Sequence, residues 1–242
     1  MSKFSDWEFL LDGNSQEFKQ LSTESGSFYF NIYGGVDHWL DCPNDDFRMT
    51  SLYCEGEDDA SVVWQLGHEL VSLYNGASIL FSKSYQKASI FKLLNNESPV
   101  DYVAPSGASA LLGKPSGFNQ HRINQEYENG AKSSGKFPLI HLATENKDIY
   151  FILKYLDMPE NWTTYYKLME AVVTFAKEKS IDLETIKSER KAFTNTSNNF
   201  SLSGFDSRHG FKEVTKSNNT SAMSLQDRTN GVRLDFNKHQ GN

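Results

Sequence analysis

The sequence predicts an α+β protein, with a β-rich part over residues 1–137 and a helical part over residues 138–242. Aromatic and β-branched runs separated by Gly, Pro and Asn turns fill the first part, as is typical of strands. Apolar residues recur at helical spacing in the second part. Hydrophobic residues make up 38% of the chain and aromatic residues 13%, which is enough for a packed core and excludes a wholly disordered chain.

Three segments of the first part have the composition of strands. Residues 27–33 and 47–53 are aromatic and β-branched runs bounded by glycine and proline turns, and residues 84–94 have a similar pattern. They predict at least two strands before residue 58 and another one after it.

A helix is predicted between these strands. Residues 62–74 carry valine, leucine and tyrosine at helical spacing, after acidic residues that favour a helix N-terminus, and Gly76 is expected near the end of the helix. Residues 95–135 are rich in Asn, Ser, Gly and Pro, which predicts long loops. Since a forty-residue loop would be unusual in a compact domain, short strands are expected inside this segment.

The second part has a different character, with several amphipathic segments. The predicted helices cover residues 144–156, 162–176, 182–193 and a last segment that begins at Ser224. The polar residues 194–199 are predicted to form a loop, and residues 204–210 a turn bounded by glycines.

Charge and hydropathy exclude several classes of protein. The formal net charge of -7 argues against broad attraction to duplex DNA, whose phosphates require a basic face. No stretch approaches the ~18 apolar residues that cross a bilayer, so we expect no membrane insertion. Two cysteines, Cys42 and Cys54, are too few for a disulfide framework, and the N-terminus lacks the apolar core of a signal peptide. These features predict a cytoplasmic protein.

Familiar catalytic motifs are incomplete in this sequence. Residues 107–114 approximate a phosphate-binding loop, but the glycine spacing is wrong and a proline replaces the required Ser or Thr. His68 precedes a glutamate but lacks the second histidine of a zinc protease. Residues 37–42 combine aspartate, histidine and cysteine, and we interpret them as an acidic loop more readily than as a metal site. The sequence therefore predicts no metal and no cofactor.

Arg208 and His209 are the most informative pair of side chains. An arginine can hold a phosphate through two hydrogen bonds, while a histidine can act as general acid or base near neutral pH without metal. A structural role is the alternative that we favour from the residues alone. In that role Arg208 would pair with Glu170 or Glu189, and His209 would bond to the backbone of its turn.

A family resemblance rests on a tryptophan-led helix whose first half ends in glutamate, a threonine and asparagine-rich segment, an Arg-His-Gly turn and a Met-Ser-Leu segment. These pieces are Asn161 to Glu170, Thr194 to Asn198, Gly204 to Gly210 and Ala222 to Leu225. In this order they resemble bacterial proteins that have a HEPN-like helical domain. The resemblance covers about residues 139–236 and implies a helical bundle.

What the resemblance implies for function depends on the spacing of Arg and His. Many HEPN domains are metal-independent ribonucleases of toxin, CRISPR-linked and anti-phage systems, often dimeric, and others are binding or dimerisation modules. The nuclease motif of the family separates its Arg and His by several residues, whereas Arg208 and His209 are adjacent. Arg233 and His239 have the expected separation. The resemblance also suggests binding roles for these two residues and for Asn195 and Asn198.

Two hypotheses follow, and they leave open whether the chain is an enzyme. In the first, it is an accessory or regulatory interaction protein of a bacterial defence or stress system, which binds a protein partner or a second copy of itself. The first part would then be a sensor or partner-binding region. In the second, it is a ribonuclease in which Arg208 holds the RNA phosphate, His209 transfers the proton and Glu170 orients the pair. An acidic chain without a basic stripe favours the first hypothesis.

Overall fold

The computed structural model describes residues 5–23, 30–35, 46–81, 85–106, 121, 124, 128, 135–183 and 187–209. The chain forms two compact units, residues 1–153 and 154–242. An antiparallel sheet lies in the first unit, and the described part of the second unit is helical. The predicted α+β class is therefore confirmed.

The first unit contains every strand found in the described residues. Its elements are β1 (Trp7–Asp12), α1 (Ser15–Thr23), β2 (Asn31–Gly34), β3 (Phe47–Thr50), a 3-10 turn (Leu52–Cys54), α2 (Ala60–Phe81), β4 (Ser89–Asn95), β5 (Ser98–Val100) and α3 (Lys136–Glu145). The helix α4 (Lys147–Asp157) contains the division between the units. The elements of the second unit are α5 (Trp162–Glu178), α6 (Lys187–Asn198), α7 (Phe200–Ser203) and a 3-10 turn (Gly204–Asp206).

The sheet has the order β2-β3-β1-β4-β5, with antiparallel pairing throughout. Its central strand, β1, places Phe9 opposite Met49 on one side and Leu93 on the other, and all three side chains are buried. The predicted strands over 27–33, 47–53 and 84–94 correspond to β2, β3 and β4. The central strand β1 and the helix α1 are not among the elements predicted from the sequence.

Two glycines allow α2 to approach its neighbours closely. A Cβ atom at Gly67 would lie 2.4 Å from the ring of Phe9, and one at Gly76 would lie 2.1 Å from the carbonyl oxygen of Leu153. The helix continues beyond Gly76 to Phe81, farther than predicted. Gly76 is therefore the point at which α2 and α4 nearly touch.

The helix α3, which the sequence did not predict, belongs to the first unit. It packs against α2 and buries Phe137 and Ile140, and the Phe137 ring lies 5.9 Å from that of Phe30. The two compact units divide after Leu153, whereas the sequence analysis placed the boundary between the β-rich and helical parts at residue 137.

The hairpin between β4 and β5 contains a strained glutamate. Asn96 and Glu97 have φ values of 46° and 66°, as both central residues of a type I′ turn must. Asparagine tolerates this conformation, but glutamate does not favour it. We expect Glu97→Gly to raise the free energy of unfolding by about 0.5 to 1 kcal/mol, as measured by urea denaturation. Ser98→Gly, in the adjacent strand, should lower it, and equal effects of the two changes would contradict this account.

Across the ranges that the structure describes, no helix combines the length and apolar character needed to cross a membrane.

Candidate functional site

The candidate site lies in the second unit, where α5 and α6 meet through aromatic side chains. Asn161 caps α5, because its side chain accepts a hydrogen bond from the amide of Thr164 at 2.8 Å. The ring of Phe193 lies 5.8 Å from that of Trp162 and 6.4 Å from that of Tyr166. These contacts fix Tyr166 on the side of α5 that faces α6.

Backbone hydrogen bonds hold the segment that carries Arg208 against the end of α6. The amide of Arg208 donates to the carbonyl of Ser197 at 2.8 Å, and the amide of Ser207 donates to the carbonyl of Gly204 at 3.0 Å. Upstream, the Asn199 side chain accepts from the amide of Ser201 at 3.1 Å. The chain therefore turns back on itself after α6, as the glycine-bounded pattern predicted.

The Arg208 guanidinium lies over the ring of Tyr166, 4.1 Å from the ring centroid. Arg208 is nevertheless exposed, and it forms no ion pair with a carboxylate in the described part of the chain. The predicted pairing with Glu170 or Glu189 is therefore wrong. A cation over an aromatic ring at the surface contributes about 0.5 to 1 kcal/mol, comparable to an exposed ion pair.

His209 and Glu170 are both exposed. The backbone carbonyl of His209 accepts a hydrogen bond from the Ser207 hydroxyl. Glu170 lies one helical turn after Tyr166, so the two side chains emerge from the same side of α5. Arg208, which covers Tyr166, therefore lies near the helix face that carries Glu170. Within the described segments, no hydrogen bond joins Arg208, His209 and Glu170, the predicted catalytic residues.

Phe205 was not singled out from the sequence, yet it is the most exposed large apolar residue among those described, at 98%. Its ring makes an edge contact with that of Phe200, with centroids 5.5 Å apart. The sequence did contain a signal for this exposure, because Phe205 lies inside the polar turn Ser-Gly-Phe-Asp-Ser, where a ring is not expected to be buried.

Asn195 and Asn198 lie in α6, so the loop predicted over residues 194–199 is wrong. Hydroxyl groups in this polar stretch bond back to helix carbonyls; Thr196, for example, donates to Ala192 at 2.9 Å. Both asparagines are half-buried. The Asn198 Oδ1 atom is buried and has no hydrogen-bond partner among the described residues. Arg233 and His239 lie outside the described residues, as do the predicted last helix and the Met-Ser-Leu segment.

The two units differ in charge. Residues 1–153 contain 20 of the 31 acidic side chains and 11 of the 24 basic ones, which gives -9. The remaining 11 acidic and 13 basic side chains give residues 154–242 a charge of +2. The net negative charge of the chain therefore comes from the first unit, whereas the second unit, which carries Arg208, has a small positive charge.

Two carboxylates of the first unit are enclosed by donors from neighbouring elements. Glu8 accepts from the Tyr33 hydroxyl at 2.7 Å and from the Arg48 guanidinium at 2.8 Å. Burial, together with the contact to Glu8, raises the pKa of Tyr33. Glu17 accepts from the Tyr74 hydroxyl and from the Lys136 ammonium group. We interpret the contacts of Glu8 with Arg48 and of Glu17 with Lys136 as ion pairs that stabilise the fold.

The described residues contain no cluster of three His, Cys, Asp or Glu side chains that could hold a metal ion. The acidic loop 37–42 and the segment 107–114 lie outside them. The Cys54 thiol is buried, and this burial raises its pKa to about 12. Cys54 is therefore a thiol at neutral pH, which makes it a poor nucleophile.

No family model, curated protein or solved structure matches this chain.

Proposed function

We propose that the chain is an accessory interaction protein, which binds a partner protein through the aromatic–arginine surface of its second unit. This surface consists of Tyr166, Phe205, Arg208 and His209. The observation that carries the proposal is the 98% exposure of Phe205, in the same segment as an arginine held over a tyrosine ring. The HEPN-like resemblance adds the expected context of a bacterial defence or stress system.

The composition of this surface is that of a protein interface. Aromatic side chains and arginine are enriched at the centres of interfaces, where a few of them supply most of the binding free energy. Burying an exposed phenylalanine contributes about 1.5 to 3 kcal/mol. Contact with the Tyr166 ring also restricts the Arg208 side chain before a partner arrives, which reduces the entropy lost on binding.

Quantitative co-purification of the tagged full-length chain from its native host tests this proposal. We expect Phe205→Ala and Arg208→Ala each to reduce the yield of a specific partner at least about tenfold, since each removes more than about 1.4 kcal/mol of interface contact. Phe91→Ala is the matched control, because Phe91 is an exposed phenylalanine of the first unit. Equal recovery of every protein with all three variants would contradict the proposal.

A metal-independent ribonuclease is the second candidate. It is favoured by the exposure of adjacent Arg208 and His209, by Glu170 one turn from Tyr166 and by the charge of +2 on this unit. Purified wild type and an Arg208→Ala, His209→Ala double variant would be incubated with total bacterial RNA and EDTA. The interaction proposal predicts no cleavage by either protein. Cleavage by the wild type, lost in a double variant with an unchanged circular dichroism spectrum, would replace it with the ribonuclease.

A further inference from the structure

A short strap, residues Asp101 to Ser106, is held on one side of α2 by the side chains of Trp64, Gln65 and His68. We call these three side chains the seat. The Trp64 indole donates to the Asp101 carbonyl at 2.8 Å, and His68 Nε2 lies 3.0 Å from the Val103 carbonyl. Gln65 donates to the Ala104 carbonyl at 3.0 Å and accepts from the Ser106 amide at 2.8 Å.

The Trp64 and His68 contacts have the spacing of a chain that lies alongside a helix. From Trp64 to His68 the helix rises by about 6 Å, and two extended residues span about 6.6 Å. Asp101 and Val103, which these two side chains bind, are two residues apart. Gln65 precedes His68 on α2 but bonds to Ala104 and Ser106, which follow Val103, so the strap turns over the seat and does not run straight along the helix.

The seat contacts mostly the backbone of the strap. All four hydrogen bonds end on backbone carbonyl or amide groups. Among the described side chains of the strap, Tyr102 packs against the rings of the seat, with its own ring 5.1 Å from that of Trp64 and 6.1 Å from that of His68. Recognition therefore requires an aromatic side chain at one position and little from the other side chains.

The strap buries little of its own surface. Tyr102 is 63% exposed, and Val103 is the one strap residue that is half-buried, while the others are exposed. Trp64, by contrast, is buried beneath it. Because little apolar surface is lost when such a segment lifts, local opening requires far less free energy than unfolding of the unit.

We propose that the seat on α2 is a peptide-binding site, which the strap occupies in the free chain. Its ligand is a short segment of a partner protein with an aromatic residue in the place of Tyr102. The strap shows the chemistry of this ligand, because backbone hydrogen bonds supply affinity and the aromatic position supplies selectivity. Binding requires displacement of the strap, so the strap sets the apparent affinity for the partner.

The test uses the full chain and an acetylated, amidated, fluorescently labelled peptide of the sequence Asp-Tyr-Val-Ala-Pro-Ser. Tyr102→Ala weakens the strap and leaves the seat intact, so it should bind the peptide at least about tenfold more tightly than the wild type does. Adding His68→Ala to this variant should weaken binding about tenfold, as should replacing the peptide tyrosine by alanine. Fluorescence anisotropy measures each affinity.

A second variant protects the test against misfolding. Ser106→Pro removes the amide that bonds to Gln65 without changing the seat, and it should also strengthen peptide binding. Failure of both folded variants to bind the peptide would overturn the proposal. So would exchange of the wild-type strap amides as slow as that of the buried α2 amides, because the strap would then be a permanent part of the fold. Phe205→Ala should leave peptide binding unchanged, which separates this result from the test of the second unit.

Discussion

Gly76→Ala is expected to lower the free energy of unfolding of the first unit by about 2 kcal/mol. The new methyl group would lie 2.1 Å from the carbonyl oxygen of Leu153 and 2.9 Å from its Cα atom. Both are backbone atoms, so relief requires a shift of α2 against α4. Overpacking of this kind costs about 1 to 3 kcal/mol and outweighs the gain in helix propensity, which is at most about 1 kcal/mol.

Urea denaturation followed by circular dichroism measures this change, and hydrogen exchange at the α2 amides assigns it to the first unit. Gly67→Ala should cost less, because its methyl group meets the Phe9 side chain, whose ring can move more easily than backbone. Ser61→Ala, at an exposed position of α2, should change stability by less than about 0.5 kcal/mol. A stabilising effect of Gly76→Ala would show that α2 and α4 are not in close contact there.

Lys136→Met is expected to lower the free energy of unfolding by about 3 kcal/mol. Lys136 and Glu17 form an ion pair whose side chains are 10% and 17% exposed. The Lys136 ammonium group also lies 5.5 Å from the centroid of the Tyr74 ring. Removing the lysine leaves a largely buried carboxylate without its cation, and breaking a buried pair in this way typically costs about 3 to 5 kcal/mol.

A double variant distinguishes this cause from a loss of packing. Glu17→Gln removes the orphaned charge and keeps an oxygen that can accept from Tyr74, so it should restore part of the stability that Lys136→Met loses. Lys147→Met is the matched control, since Lys147 is exposed and is also the first residue of a helix. If Lys136→Met and Lys147→Met had equal effects on the urea midpoint, the ion pair would contribute nothing to stability.

The sequence predicted the elements that have a clear amphipathic period. α5 is the best example, because Trp162, Tyr166 and Val173 recur at helical spacing and Asn161 supplies a cap. The strand β1 was not predicted because its sequence has no amphipathic period. Five consecutive residues, from Trp7 to Leu11, are buried, so its sequence lacks the alternation of a strand with one solvent face.

The helix α3 and the end of α6 were not predicted because local signals opposed them. α3 follows a long stretch rich in Gly and Ser and has Pro138 in its first turn, where proline is tolerated. The end of α6 is made of Thr, Asn and Ser, which have low helix propensity. Contact of Phe193 with the rings of α5 anchors this helix, and a single sequence does not reveal such contacts.

The roles proposed for the candidate site residues remain predictions. The unusual turn identified Arg208 and His209, and both prove to be exposed on the surface of the second unit. The contact of Arg208 with Tyr166 was not predicted, because the two residues are far apart in sequence and many carboxylates were equally plausible partners. The seat for the strap was missed too, since His68 has no partner in any short sequence motif.

Photo-crosslinking from position 205 tests the central claim, that the aromatic–arginine surface binds a protein, most directly. A photoreactive phenylalanine analogue would replace Phe205 in the full chain, and in a control chain it would replace Ile181, which is also exposed in the second unit. We expect a protein adduct of defined mass from position 205 that Arg208→Ala diminishes, and no such adduct from position 181. RNA adducts alone, or equal labelling from both positions, would contradict the claim.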